Sequence, residues 1–150
     1  MDEMTQAAAQ VEYVDSLDAI TPEMLHGFFE GWQDPPSPKT HLRVLGNSEF
    51  VILAVDQQAG RVVGFVNAIS DGLLSAFIPL LEVLPEYRGR GIGSELLRRM
   101  LAKLRSLYSV DLVCDSELAG FYEACGMSPA TAMIVRNHDR KSVGNGPSGR

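Results

Sequence analysis

Three glycines at alternate positions, Gly89, Gly91 and Gly93, stand where an apolar run hands over to a strongly amphipathic one. The segment reads Val83-Leu84-Pro85-Glu86-Tyr87-Arg88-Gly89-Arg90-Gly91-Ile92-Gly93-Ser94. A strand that runs straight into a helix commits the chain to a layered arrangement of sheet and helix. The turn also suggests a chemistry. The first N–H groups of a helix lack internal partners, the macrodipole places partial positive charge there, and glycines let an anion approach the main chain with no Cβ in the way. Arg88 and Arg90 add full charges. An ordinary turn requires no such alternation of glycine and arginine, so Arg88, Gly89, Arg90, Gly91, Ile92, Gly93 and Ser94 read as a phosphate cradle.

Two familiar phosphate motifs fail on spelling. A Walker A loop ends in Gly-Lys-Ser/Thr, and Gly93-Ser94 has no lysine. A dinucleotide fingerprint needs a third glycine where Ser94 stands, and it normally opens the first βαβ unit.

The rest of the composition narrows the class. With 150 residues, 45% hydrophobic and 21% charged, the chain suits one core better than two small domains or a disordered polymer. Ten acidic residues against two basic ones lie between positions 1 and 60, whereas positions 86 to 105 hold six basic against two acidic. The net charge of -6 argues against a general nucleic-acid binder, while the basic island beside the glycines suits a small anionic ligand. Cys114 and Cys125 form no C-x-x-C and only three histidines are present, so neither a disulfide framework nor a metal site of familiar spacing is expected. The longest near-apolar stretch, Gly72 to Leu81, is far short of the ~20 residues that cross a bilayer. Met1-Asp2-Glu3-Met4 is acidic where a secretory signal would be basic, leaving the cytoplasm as the expected location.

Residues 1–9 and 137–150 read as flexible tails around a single domain over 10–136. Within it, Val11 to Asp15 is a short strand candidate. Thr21-Pro22 opens a helix expected to reach Trp32, with Met24, Leu25, Phe28, Phe29 and Trp32 on its buried side, and the proline-rich Asp34 to Pro38 ends it. A weak helix is possible over Thr40 to Leu45. Phe50 to Val55 and Arg61 to Ile69 form a hairpin, and Gly72 to Leu84 is a third long strand candidate. A helix from Gly91 to Tyr108 buries Leu97, Met100, Leu101, Leu104 and Tyr108. Val110 to Cys114, with Cys114 in the core, is the next strand. A helix over Ser116 to Cys125 stops at Gly126, and Ala130 to Arg136 supplies a last strand. The order predicts an α/β mixed fold, a sheet with helices packed on it.

The motif Arg88-x-x-Gly91-x-Gly93 resembles the Arg/Gln-x-x-Gly-x-Gly/Ala signature of the GNAT superfamily of N-acetyltransferases. Phe121-Tyr122-Glu123-Ala124-Cys125-Gly126-Met127 is similar to that family's Phe-Tyr-x-x-x-Gly-Phe segment, with Met127 in place of the last phenylalanine. The two stand in order, one helix and one strand apart, and the likeness covers roughly residues 45 to 136. One departure is Asp115 and Leu118, where the family often has Asn and Ala. The resemblance implies a twisted, mostly antiparallel sheet whose fourth and fifth central strands splay apart to admit acetyl-CoA. Pro79, with no N–H to donate, independently predicts a bulge or a stop in pairing on the fourth strand.

What the resemblance implies chemically is acetyl transfer to a primary amine, with acetyl-CoA as donor and no metal. The cradle would hold the diphosphate, and main-chain groups of Leu81 and Val83 would pair with the pantetheine arm and stabilise the oxyanion. Tyr122, at the family's tyrosine position, would be the general acid. Glu82 is the candidate base, although strand alternation puts it on the face opposite Leu81 and Val83, and a solvated or ion-paired role is the plain alternative. Asp71, Glu30, His26 and His41 are weaker candidates. Cys125 has no legible Cys/His partner and reads as a small hydrophobe. The acceptor would be a small-molecule or peptide amine, with no nucleic acid or membrane partner; the family also admits a homodimer. A non-catalytic acyl-CoA-binding or sensing domain is the rival reading. A structural module whose turn binds some other phosphorylated partner is the third.

Overall fold

The computed structural model describes residues 11–137. The tail expected at 1–9, and all but Asn137 of the one expected at 137–150, lie outside those residues. Among the described residues five strands form one sheet in the order β1 (Val11–Val14), β2 (Phe50–Asp56), β3 (Arg61–Ser70), β4 (Ser75–Val83), β5 (Ser109–Asp111). The first four pair antiparallel and β5 runs parallel to β4. This is the mixed, mostly antiparallel sheet that the pattern and the resemblance imply. Strands β2 and β3 are almost wholly buried because Val, Ile and Phe occupy both of their faces, which suits the centre of a sheet covered on two sides.

Three helices flank it: α1 (Pro38–Gly46), α2 (Ile92–Lys103) and α3 (Ala119–Ala124). The proline-rich breaker turns out to be the start of α1, where Ser37 Oγ accepts from Thr40 N–H at 3.1 Å and Pro38 takes the first turn. Helix α2 packs on β2, β3 and β4 through Ile92, Leu96, Leu97 and Met100, with Leu104 buried at its C-terminal end. Truncating Leu97 to Ala would cost about 2–5 kcal/mol. On the opposite face α1 and the Phe28–Phe29 loop cover β3, with Phe28 and His41 ring centroids 5.1 and 4.4 Å from that of Phe65.

Several expectations are corrected. The helix expected to reach Trp32 is a single 3-10 turn, Pro22–Leu25. Gly27, Phe29 and Gly31 all take positive φ, which right-handed helix forbids, and Trp32 is half exposed rather than core. Helix α2 ends at Lys103, because the chain must turn in time for Ser109 to pair with Ser75, and Tyr108 is 87% exposed. Cys114 is exposed. The strand expected over Ala130 to Arg136 does not form, and its residues are exposed. The neighbouring edge, β5, has only three residues, so neither ladder bonds nor burial offsets the entropy of ordering that segment.

The same shortness of β5 opens the sheet. β4 and β5 pair only from Ser75↔Ser109 to Phe77↔Asp111, while β4 runs on to Val83. Between Asn67 and Ile69, β3 advances two residues as its β4 partners advance three, from Leu80 to Phe77, so a bulge falls at Ile78–Pro79. Pro79 therefore sits where its missing N–H costs least.

Candidate functional site

The start of α2 is set against the end of β4 by close packing. A Cβ on Gly64 would lie 3.0 Å from Leu96 Cδ1 and 3.2 Å from Ile92 Cγ2, so glycine on β3 lets the helix approach the sheet. At Gly93 a Cβ would be 3.7 Å from both Val83 Cγ2 and Phe121 Cζ, so α2, β4 and α3 converge there.

Gly91 is the N-cap of α2, at φ 82°, and no side chain among the described residues caps the helix. Glu95 N–H bonds Gly91 O, which leaves the amides of Ile92, Gly93 and Ser94 without intrahelical partners. A Cβ added at Gly91 meets nothing of the described residues within 4 Å, so glycine answers the backbone angle and leaves room ahead of it. Arg88 donates from Nε to Val83 O at 3.0 Å and its Nη2 lies 3.1 Å from Glu30. Arg90 donates to Glu86 O at 3.1 Å and lies over the Tyr87 ring. The Arg88–Glu30 pair is half exposed on both sides, so parting it costs under about 1 kcal/mol, and turning Arg88 fully onto an anion also releases Val83 O. Free amides, open space and two guanidiniums fit a diphosphate.

The adjoining edge of β4 offers main-chain groups. Leu84 N–H donates to Val63 O at 2.9 Å across to β3, and Gly64 pairs opposite Val83. By strand alternation, Val83 and Leu81 therefore turn their N–H and C=O groups away from β3, toward the side that β5 leaves open. The Arg88 bond to Val83 O agrees with that direction.

Glu82 points to the opposite face from Val83, as alternation predicts, and the bulge does not alter this. Its carboxylate accepts from Phe29 N–H at 3.0 and 2.9 Å, and Glu30 N lies 3.5 Å away. Burial pushes its pKa up from the ordinary glutamate value, against the lowering pull of those amides and of Arg88. On the same face of the sheet His41 is fully buried, its ring nitrogens have no hydrogen-bond partner among the described residues, and desolvation lowers its pKa to about 4. The imidazole is neutral and walled by Phe28, Phe29 and Phe65.

Tyr122, on α3, is half-buried and lines a cavity of about 610 Å³ with Phe77, Val110, Leu112 and Cys114. Burial raises its pKa, and the neighbouring Cys114 and Cys125 thiols push it the same way, so the phenol is protonated at neutral pH. Gly126 follows α3 at φ 99°, the expected stop.

The remaining candidates have structural work. Asp71 Oδ1 accepts from the amides of Leu73, Leu74 and Ser75 in the β3–β4 turn, bonds that hold its pKa down. Glu30 pairs with Arg88, and the exposed His26 meets Arg61. Asp115 and Leu118 are exposed in the turn before α3. Sequence reading treated Phe29 as plain core and missed its amide as the holder of Glu82; the flanking Gly27 and Gly31 were the available signal.

This geometry has relatives. Rice serotonin N-acetyltransferase 2, chloroplastic, is 32% identical over 90 residues, covering 57% of this chain and 45% of that protein. Rice glucosamine 6-phosphate N-acetyltransferase 1 is 30% identical over 102 residues, with 57% and 56% covered. The chain thus spans about half the length of these curated relatives. Among solved structures, a Deinococcus radiodurans R1 protein described as a candidate acetyltransferase superposes with a TM-score of 0.85 at 48% identity, over 88% of this chain and 92% of that one. The sequence profile of the acetyltransferase (GNAT) family matches residues 17–127, and with cradle, open β4 edge and Phe-Tyr helix all in place, the chain belongs to that family.

Proposed function

We propose that this chain is an acetyl-CoA-dependent N-acetyltransferase that moves an acetyl group directly to a primary amine. The observation that carries the reading is the meeting of an uncapped helix start with a strand edge whose main-chain groups have no strand partner. The amides of Ile92, Gly93 and Ser94, opened by Gly89 and Gly91 and flanked by Arg88 and Arg90, hold the diphosphate. Leu81 and Val83 offer their main-chain groups to the pantetheine arm, and an N–H from this segment steadies the oxygen that gains charge when the carbonyl is attacked. Acetyl-CoA supplies the activated acetyl group and a thiolate leaving group.

The chain's own residues handle the protons. An alkylamine with pKa ~10.4 is mostly protonated at neutral pH and must lose a proton before attack. Glu82, made more basic by burial, takes that proton directly or through water. Tyr122, protonated and without a hydrogen-bond partner among the described residues, gives one to the thiolate. A cytoplasmic setting is part of the same proposal.

Thermal-shift titration with acetyl-CoA, CoA and ATP tests the assignment. Stabilisation by the first two alone supports it, and a response to ATP alone removes it. Release of thiol in the presence of an amine separates an enzyme from a non-catalytic acyl-CoA sensor.

A further inference from the structure

A second cavity, of about 300 Å³, lies where the C-terminal end of α1 meets β3 and the β4 bulge. Among its lining residues are Arg43, Val44, Ser48, Asn67, Pro79 and Leu80. Asn67 is 1% exposed, and a short network fixes which way its amide points. Ser48 spends its one hydroxyl proton on Val44 O, at 2.8 Å, so its oxygen can only accept from Asn67 Nδ2, at 2.9 Å. Asn67 Oδ1 is left with no hydrogen-bond partner among the described residues. A buried acceptor in that state destabilises the fold until a donor reaches it. Pro79, at the same cavity, has no N–H to offer it. At the rim, Arg43 is exposed and makes no ion pair with any described residue.

The cavity is placed for an acceptor. Asn67 pairs opposite Leu80, and Phe65 opposite Glu82, so the cavity floor and the Glu82 carboxylate share one face of the sheet, one side-chain repeat of ~7 Å apart. An unpaired acceptor on the wall calls for an N–H donor, a free guanidinium at the rim calls for an anion, and Val44 and Leu80 between them are apolar. The volume is at the lower end of small-molecule pockets. We infer that this cavity selects the acetyl acceptor and takes a compact primary amine carrying a carboxylate or phosphate, with the amine at Asn67 and the anion at Arg43. The inference rests on reading the β4 edge as the acetyl-transfer site.

The test compares matched amines with and without the anion: 3-aminopropionate against propylamine, and phosphoethanolamine against ethanolamine. Thiol release from acetyl-CoA gives kcat/KM for each on the full chain. Nitrogen-15 NMR of the Asn67 side-chain amide, without acetyl-CoA, reads binding independently of turnover. At least one anionic amine is expected to exceed its neutral partner by about tenfold or more, the weight of one exposed charge-assisted contact. Which pair shows the difference tells carboxylate from phosphate. Arg43→Ala should raise KM for that anionic amine only, with acetyl-CoA stabilisation unchanged, and the same amine should shift the Asn67 signal. Equal rates within both pairs, indifference to Arg43→Ala, or no Asn67 response to any of the four would overturn the inference even if acetyl-CoA binds and turns over. Conversely, an Asn67 response to an anionic amine in a chain that ignores acetyl-CoA would support the pocket and overturn the acetyltransferase reading.

Discussion

The main-chain N–H of Phe29 donates to both carboxylate oxygens of Glu82, at 3.0 and 2.9 Å, across 53 residues of sequence. Phe29 reaches that position at φ 67°, an angle unusual for a residue with a bulky side chain, between two glycines at positive φ. A strained turn is thus spent on orienting one carboxylate, and strain of this kind clusters at functional sites.

Glu82→Gln keeps an oxygen for the Phe29 amide but removes the base. The fold should persist while kcat falls by about a hundredfold or more. In the parent chain kcat/KM should drop on the acid side as Glu82 protonates, at a pH above the ordinary glutamate range because burial raises its pKa. A pH–rate profile checks this, and an unchanged acid limb in the Gln variant would remove Glu82 from the role. The stability sign follows as well. The folded state holds this proton more readily than the unfolded one, so the contribution is full below the unfolded pKa and is lost as pH rises through the folded value.

Gly91→Asp and Gly91→Asn separate charge from strain. Both side chains tolerate left-handed backbone, and a Cβ there meets nothing within 4 Å, so the two variants should fold alike. Near a diphosphate the carboxylate adds repulsion of about 3 kcal/mol, for charges ~5 Å apart at an effective dielectric near 20. Acetyl-CoA affinity measured calorimetrically should fall on the order of a hundredfold more for Asp than for Asn. Equal affinities would place the diphosphate elsewhere.

Tyr122→Phe deletes a hydroxyl that has no hydrogen-bond partner among the described residues, so stability should barely change. Single-turnover acetyl transfer should slow by about a hundredfold, with acetyl-CoA affinity retained. Full transfer rates would exclude the phenol as proton donor.

His41 makes acid stability steep. The unfolded chain takes up a proton near pH 6.5 that the folded chain refuses until about pH 4. Stability should therefore fall by about 3 kcal/mol as pH drops through that window, then level off. His41→Leu removes the titrating group and two unpaired ring nitrogens, and its Tm between pH 4 and 6.5 should vary less than that of the parent. A parallel pair of Tm curves would show that His41 does not set the acid sensitivity.

The unbroken, β-branched apolar runs Phe50 to Val55 and Arg61 to Ile69 announced the central hairpin, and the Arg-Gly run announced both a helix start and the anion it could hold. These features were legible because each is local: a β-branched apolar run bounded by a turn, period 3.6, and a backbone angle that favours glycine. The Met24–Trp32 pattern misled for the same reason. Its spacing suits a helix, yet Phe29 and Glu30 turn their amides toward Glu82, a partner that no window of neighbouring residues contains. The Ala130–Arg136 run has strand composition, but a strand needs an edge to join, and three residues of β5 do not supply one.

From composition and local pattern came the mixed sheet and a glycine-rich helix start suited to an anion, and the resemblance of the Arg-x-x-Gly-x-Gly and Phe-Tyr motifs to known ones pointed to the family. Only the tertiary structure decided which main-chain groups of β4 lie open, what holds Glu82, and that Asn67 and Arg43 share a cavity. Those facts arise from strand register and from the pairing of groups far apart in the chain. Their energies depend on burial and on unsatisfied hydrogen bonds, quantities that come into existence only when the layers close.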